Sequence, residues 1–122
     1  MATTGSFSTG VTLRYVNGAD QETITSARSK SVTYSVDRIG VSTMIVTDTP
    51  VTINKGNITT LGYIYVSNID TTGSLQIGPD GVNWPIFIQP TESTLFRSNQ
   101  WTDVYVSGSG TTLINYALYP YV

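Results

Sequence analysis

"IGPDGVNWPIFIQPTESTLFR", residues 77–97, sets two reversal signals inside one apolar, β-branched run. Asp80-Gly81 supplies the first and Pro90-Thr91-Glu92 the second, because Gly tolerates positive φ, Pro fixes φ, and Asp bonds to nearby backbone amides. The runs between them, "WPIFIQ" (84–89) and "STLFR" (93–97), are predicted strands, with Ile77, Ile86, Ile88 and Leu95 filling one side of a sheet. Pro85 has no N–H to give to a ladder, so its surroundings are expected at a strand start or a sheet edge.

The same alternation of strand and turn runs outward in both directions. Toward the N-terminus, residues 11–16 alternate in character, and Asn17-Gly18 is a tight-turn signal because both residues tolerate positive φ. A first hairpin is expected to return through residues 22–25. "SVTYSV" (31–36) and "VSTMIVT" (41–47) follow, parted by Asp37-Arg38-Ile39-Gly40. Asp48-Thr49-Pro50 interrupts the run, "VTI" (51–53) resumes it, and Lys55-Gly56-Asn57 closes the first half. Further strands are read in "LGYIYVSNI" (61–69), "SLQIG" (74–78), "DVYVSG" (103–108) and "TLINYALY" (112–119). Asp70-Thr71-Thr72-Gly73 and Gly108-Ser109-Gly110 are turn clusters, the latter expected as a hairpin turn. No window holds a 3.6-residue period, and only residues 99–103 have room for a single helical turn. The predicted fold is all-β: an antiparallel β-sandwich, jelly-roll-like, of about ten short strands. Residues 1–10 are expected as a flexible N-terminal arm and 11–122 as a single domain.

Composition narrows the chemistry. A chain of 122 residues suits one domain with a real core. It has no cysteine, hence no disulfide, thiolate nucleophile or cysteine-held metal, and no histidine, the usual base near neutral pH and the commonest metal ligand. Six basic and eight acidic side chains give a net charge of -2, which argues against nucleic acid as a partner, since neutralising phosphates needs clustered Lys and Arg. Arg14, Arg28, Lys30, Arg38 and Lys55 lie too far apart for that and read as a solvated face. Charged residues are 11% of the chain, and 20 Thr and 13 Ser stand in their place, so the expected surface is polar but uncharged. No run approaches the length of a membrane span, and "MATTGSFSTG" lacks the basic and apolar parts of a secretory signal. No membrane partner is expected.

The residues able to do chemistry each have a plainer reading. Asp20 and Glu22 lie two apart, the minimum for an acid–base pair, but read as charged shoulders of a turn. Asp48, Asp70, Asp80 and Asp103 sit beside turns without the spacing of a calcium loop. Serine and threonine abound, yet only Lys30 and Lys55 are available as unconventional bases. Gly108-Ser109-Gly110 is not followed by the lysine of a phosphate loop, and the sequon Asn57-Ile58-Thr59 lacks a supporting signal. No catalytic, cofactor or metal site is expected, and the chain reads as a non-enzyme.

The aromatic residues carry more. Tyr63 and Tyr65 alternate with Ile64 and Val66, and Tyr105 with Val104 and Val106, so both faces of these strands bear apolar bulk. Either the second face packs on an identical subunit or another surface, or the tyrosines line the rim of an ordinary core. Trp84, Trp101, Tyr119 and Tyr121 offer flat faces for a sugar, although a tryptophan beside Pro85 also reads as a cap on the core. "YALYPYV" stays apolar to its last residue, so Tyr119, Tyr121 and Val122 are expected to dock on this subunit or a neighbour.

"LGYIYVSNID", "LQIGPDGVNWPIFIQPTESTLFR" and "VYVSGSGTTLINYALY" together resemble small β-sandwich structural proteins of tailed bacteriophages, of the head decoration or cement type. Gly62, Asn68, Gly78, Asp80, Gly81, Trp84, Pro85, Glu92, Phe96 and Arg97 carry the match, which spans about residues 60–119. The resemblance implies a non-enzymatic homotrimer in the virion, assembled in the host cytoplasm, that clamps neighbouring major capsid protein subunits. The arm is then expected to lie across a neighbouring subunit by strand addition. The alternative is a carbohydrate- or receptor-binding module of a head or tail fibre, carried by Trp84, Trp101 and the C-terminal tyrosines.

Overall fold

A computed structural model describes residues 3–34, 39–98 and 100–120, and no helix occurs among them. The fold is all-β. Residues 100–103, within the one stretch with room for a helical turn, are irregular chain, with the Trp101 ring packed against Phe96 and the core. Two compact units divide the chain, Met1–Ser35 and Val36–Val122.

In the first unit, β1 (Thr3–Asn17) and β2 (Asp20–Tyr34) form an antiparallel ribbon. The reversal is Gly18-Ala19, with Gly18 at φ 61° and Asn17 closing β1 opposite Asp20. Positive φ is thus needed at Gly18 but not at Asn17, as in a type II′ hairpin, whose first central position favours glycine. The strands outrun the segments read from sequence, and the expected boundary at residue 10 falls inside β1. The register continues to Thr3↔Tyr34 and sets Thr4 opposite Thr33, Ser6 opposite Ser31, Ser8 opposite Ser29 and Thr12 opposite Thr25. No proline interrupts either strand.

The second unit has eight strands: β3 (Ile39–Val46), β4 (Val51–Thr52), β5 (Leu61–Asn68), β6 (Leu75–Gly78), β7 (Ile86–Ile88), β8 (Ser93–Arg97), β9 (Tyr105–Gly108) and β10 (Thr112–Pro120). They make two antiparallel four-stranded sheets, β3-β10-β5-β8 and β4-β9-β6-β7. That strand order is a jelly roll. Only β6 and β7 are consecutive strands within one sheet; every other connection in this unit carries the chain from one sheet to the other. Gly108-Ser109-Gly110 is therefore a crossing between β9 and β10 and not the hairpin turn expected, although Gly110 does hold φ 70°.

Period-two alternation decides what lies inside. Leu61, Ile64 and Val66 of β5 meet Leu75 and Ile77 of β6, Val106 of β9 and Ile114 and Leu118 of β10 in one fully buried cluster. Each such side chain contributes about 1.5–3 kcal/mol through the area it withdraws from water. Ile77 and Ile88 are buried as expected, with Ile86 packed alongside. Leu95 is not: β8 crosses to the other sheet and turns Phe96 inward, which leaves Leu95 outward and 42% exposed. Pro85 immediately precedes β7, an edge strand, so its missing N–H costs no ladder bond. The β6–β7 turn also closes over Gly78, where any Cβ would lie 1.9 Å from the Asn83 carbonyl oxygen.

Candidate functional site

Once the core is filled, apolar bulk still stands exposed on the outer sheet surfaces: Phe87 of β7 on one, and several residues together on the other. On the outward face of β3-β10-β5-β8 the register produces cross-strand rows. Ile45 stands opposite Leu113, and both are exposed. The next row runs Thr43, Asn115, Ser67, Ser93. Its polar groups satisfy one another: Thr43 Oγ1 donates to Asn115 Oδ1 at 2.8 Å, and the Ser67 and Ser93 hydroxyls lie 2.8 Å apart. Ala117, Tyr65 and Leu95 form a third row. Tyr63 lies opposite Arg97, whose guanidinium sits 5.4 Å from the ring centroid, a cation–π contact.

Tyr63 and Tyr65 are thus neighbours on one half-buried outer surface, while Ile64 and Val66 between them are fully buried. Tyr119, also half-buried, follows the inward Leu118 on β10. Tyr105 does not join them, because β9 belongs to the opposite sheet. It lies between Thr52 and Gly78, with its ring beside the β6–β7 turn at Gly81. Trp84 sits at the same turn, its ring against Gly78. Trp101 packs on Phe96, ring centroids 5.3 Å apart, against the core. Tyr121 and Val122 lie outside the described residues. The candidates therefore fall in three places: the outer sheet, the β6–β7 turn and the core margin.

The acidic residues close turns. Asp70 Oδ2 accepts the backbone N–H groups of Gly73 at 2.7 Å and Thr72 at 3.1 Å. Asp80 Oδ1 accepts those of Asn83 at 2.8 Å and Val82 at 2.9 Å, and Oδ2 accepts the Asn83 amide. These amides hold both carboxyls below their ordinary value of 3.8, chiefly through Gly73 for Asp70 and Asn83 for Asp80. Asp103 pairs with Lys55 at 3.2 Å. Glu22, on β2, is exposed and stands opposite Tyr15. Among the described residues no three of His, Cys, Asp or Glu gather closely enough to hold a metal ion.

Two features escaped the sequence reading. The outward Val41 and Ile45 of β3 are 68% and 62% exposed, and sequence could not tell this face from the inner one, where Met44 and Val46 also offer bulk. Asn68, fully buried, donates its side-chain amide to the carbonyls of Gly73 (2.8 Å), Gln89 (3.2 Å) and Ile88 (3.4 Å) and accepts from Asp70 N–H at 3.1 Å. It ties β5 to the loops before β6 and after β7. An asparagine ending an apolar strand was the available signal.

No family model, curated protein or solved structure matches the chain.

Proposed function

We propose that this chain is a structural, self-associating virion protein, a decoration or cement protein that strengthens a phage head by binding its major capsid protein. In this reading its product is adhesion, its working assembly is a homotrimer, and it carries no catalytic step. The observation behind it is the outward surface of β3-β10-β5-β8. Val41, Ile45, Leu95, Leu113 and Tyr65 remain exposed or half-exposed there although the core is complete, and β3, β5 and β10 contain no charged residue. Such patches on a folded surface mark contacts with other proteins. The fibre-module alternative loses support at Trp101, whose half-buried ring is engaged by Phe96 and the core.

The test is a capsid built from the major capsid protein encoded in the same genome, heated with and without the purified chain. Bound chain raising the temperature of capsid disruption supports the proposal, and Tyr65→Asp abolishing both binding and protection locates it. Capsids that neither bind the chain nor gain resistance, together with glycan binding by the free protein, would favour the fibre module.

A further inference from the structure

The sandwich has four edge strands, and three are guarded. β4 has two residues and follows Pro50; β7 has three, set between Pro85 and the Gln89-Pro90 turn. β8 has five, with Glu92 before it and Arg97 within it. Short length, proline and charge are the usual protections against edge-to-edge pairing. β3 has none of them within its span, although Arg38 precedes it in the chain. It runs eight residues, "IGVSTMIV", with no proline and no charge, and ends its sheet among the described residues.

Its outward row is also self-complementary. Val41, Thr43 and Ile45 repeat every second residue, so an antiparallel copy centred on Thr43 sets Val41 against the partner's Ile45, and Ile45 against the partner's Val41. Ser42 falls beside the partner's Met44. The register keeps outward residues with outward residues, so exposed apolar side chains meet across the junction and no like charges are brought together. We propose that β3 is a two-fold pairing edge at which a second copy of this chain docks, joining two four-stranded sheets into one of eight. This deepens the self-association in the proposed function and rests on it. A two-fold contact joins copies in pairs, so it links trimers to one another and does not build them.

The chain contains no cysteine, which permits a clean test. Across the two-fold axis the two Thr43 Cα atoms lie roughly 4.5–5.5 Å apart, within disulfide range. Thr43→Cys under mild oxidation is expected to give a covalent dimer rapidly, whereas Ser93→Cys, on the edge strand β8, stays uncoupled. Ile45→Lys, which brings an ammonium into the apolar junction, is expected to raise the dissociation constant of the paired form about tenfold or more with the far-ultraviolet spectrum unchanged. Coupling at Thr43 no faster than at Ser93, or an Ile45→Lys mass equal to that of the parent protein, overturns the proposal. So does a monomeric parent, whether its β3 amides exchange freely or are protected by another part of the same chain. All measurements use purified protein without capsid, so their failure leaves the capsid-protection test standing, and the reverse also holds.

Discussion

Two single residues hold one end of the sandwich, and they act in opposite directions. Asn68 is fully buried and meets three carbonyls and one amide, so Asn68→Ala removes the partner these groups share, leaves the Gln89 carbonyl with the Glu92 N–H, and opens a gap. A loss of about 2–3 kcal/mol is expected, read as a lower urea midpoint with an unchanged slope. Thr91 is the reverse case. It holds φ 68° at the third position of the Gln89–Glu92 turn, where the Glu92 N–H reaches the Gln89 carbonyl at 3.2 Å. A β-branched residue is strained in that region, and glycine is not. Thr91→Gly should therefore raise stability by about 0.5–1 kcal/mol after the entropy of the freer unfolded chain is subtracted; a lower melting temperature would contradict the assignment. The turn was legible at this scale, because Pro90 and Glu92 announce it. The strain was not, since nothing in the letters states which residue after the proline takes positive φ. Asn68 could be read as a strand end but not as a hub, because its partners come from segments distant in sequence.

At the scale of elements, carboxylates that accept backbone amides close the loop after β5 and the turn after β6. Asp70 and Asp80 have folded values below 3.8, so the charged form is the one that favours folding. Their contribution is fully present above the unfolded value and is lost as pH falls through the lowered folded values. The melting temperature is expected to stay level from about pH 7 to 5 and to fall below about pH 4. The double substitution Asp70→Asn, Asp80→Asn should flatten that acid limb, and a limb of unchanged steepness would show that other carboxyls carry it. The strands themselves were legible where alternation is strict, as in β5, and where turn residues bound them, as at Asp80-Gly81, with Gly81 at φ 75°. What alternation cannot state is the sheet to which a strand belongs. β8 follows β7 after a short turn yet pairs with β5, which is why Leu95 was assigned to the wrong side. The ribbon shows the same limit differently: Gly18 marked its tip, while its length is set by pairings as remote as Thr3 with Tyr34.

For the whole molecule, the question is which force holds copies together. The chain has fourteen charged side chains in 122 residues, and β3, β5 and β10 carry none of them, with Arg97 of β8 entering their shared outer surface only at its margin beside Tyr63. An association through this surface rests on apolar area and backbone hydrogen bonds, neither of which is screened by salt. Its dissociation constant should change by less than about threefold between roughly 0.1 and 1 M NaCl. Sulfate should tighten it, and cooling toward 4 °C should loosen it, because hydrophobic stabilisation weakens in the cold. Sedimentation equilibrium across those conditions measures all three trends. Dissociation at high NaCl would mean instead that Arg97 and the scattered carboxylates make the contact, and an edge built like β3 would then have to be covered in some other way. The low charge was visible in the composition from the start. Its placement was not, because only the strand order, with β10 and β5 set between β3 and β8, collects the uncharged strands onto one surface.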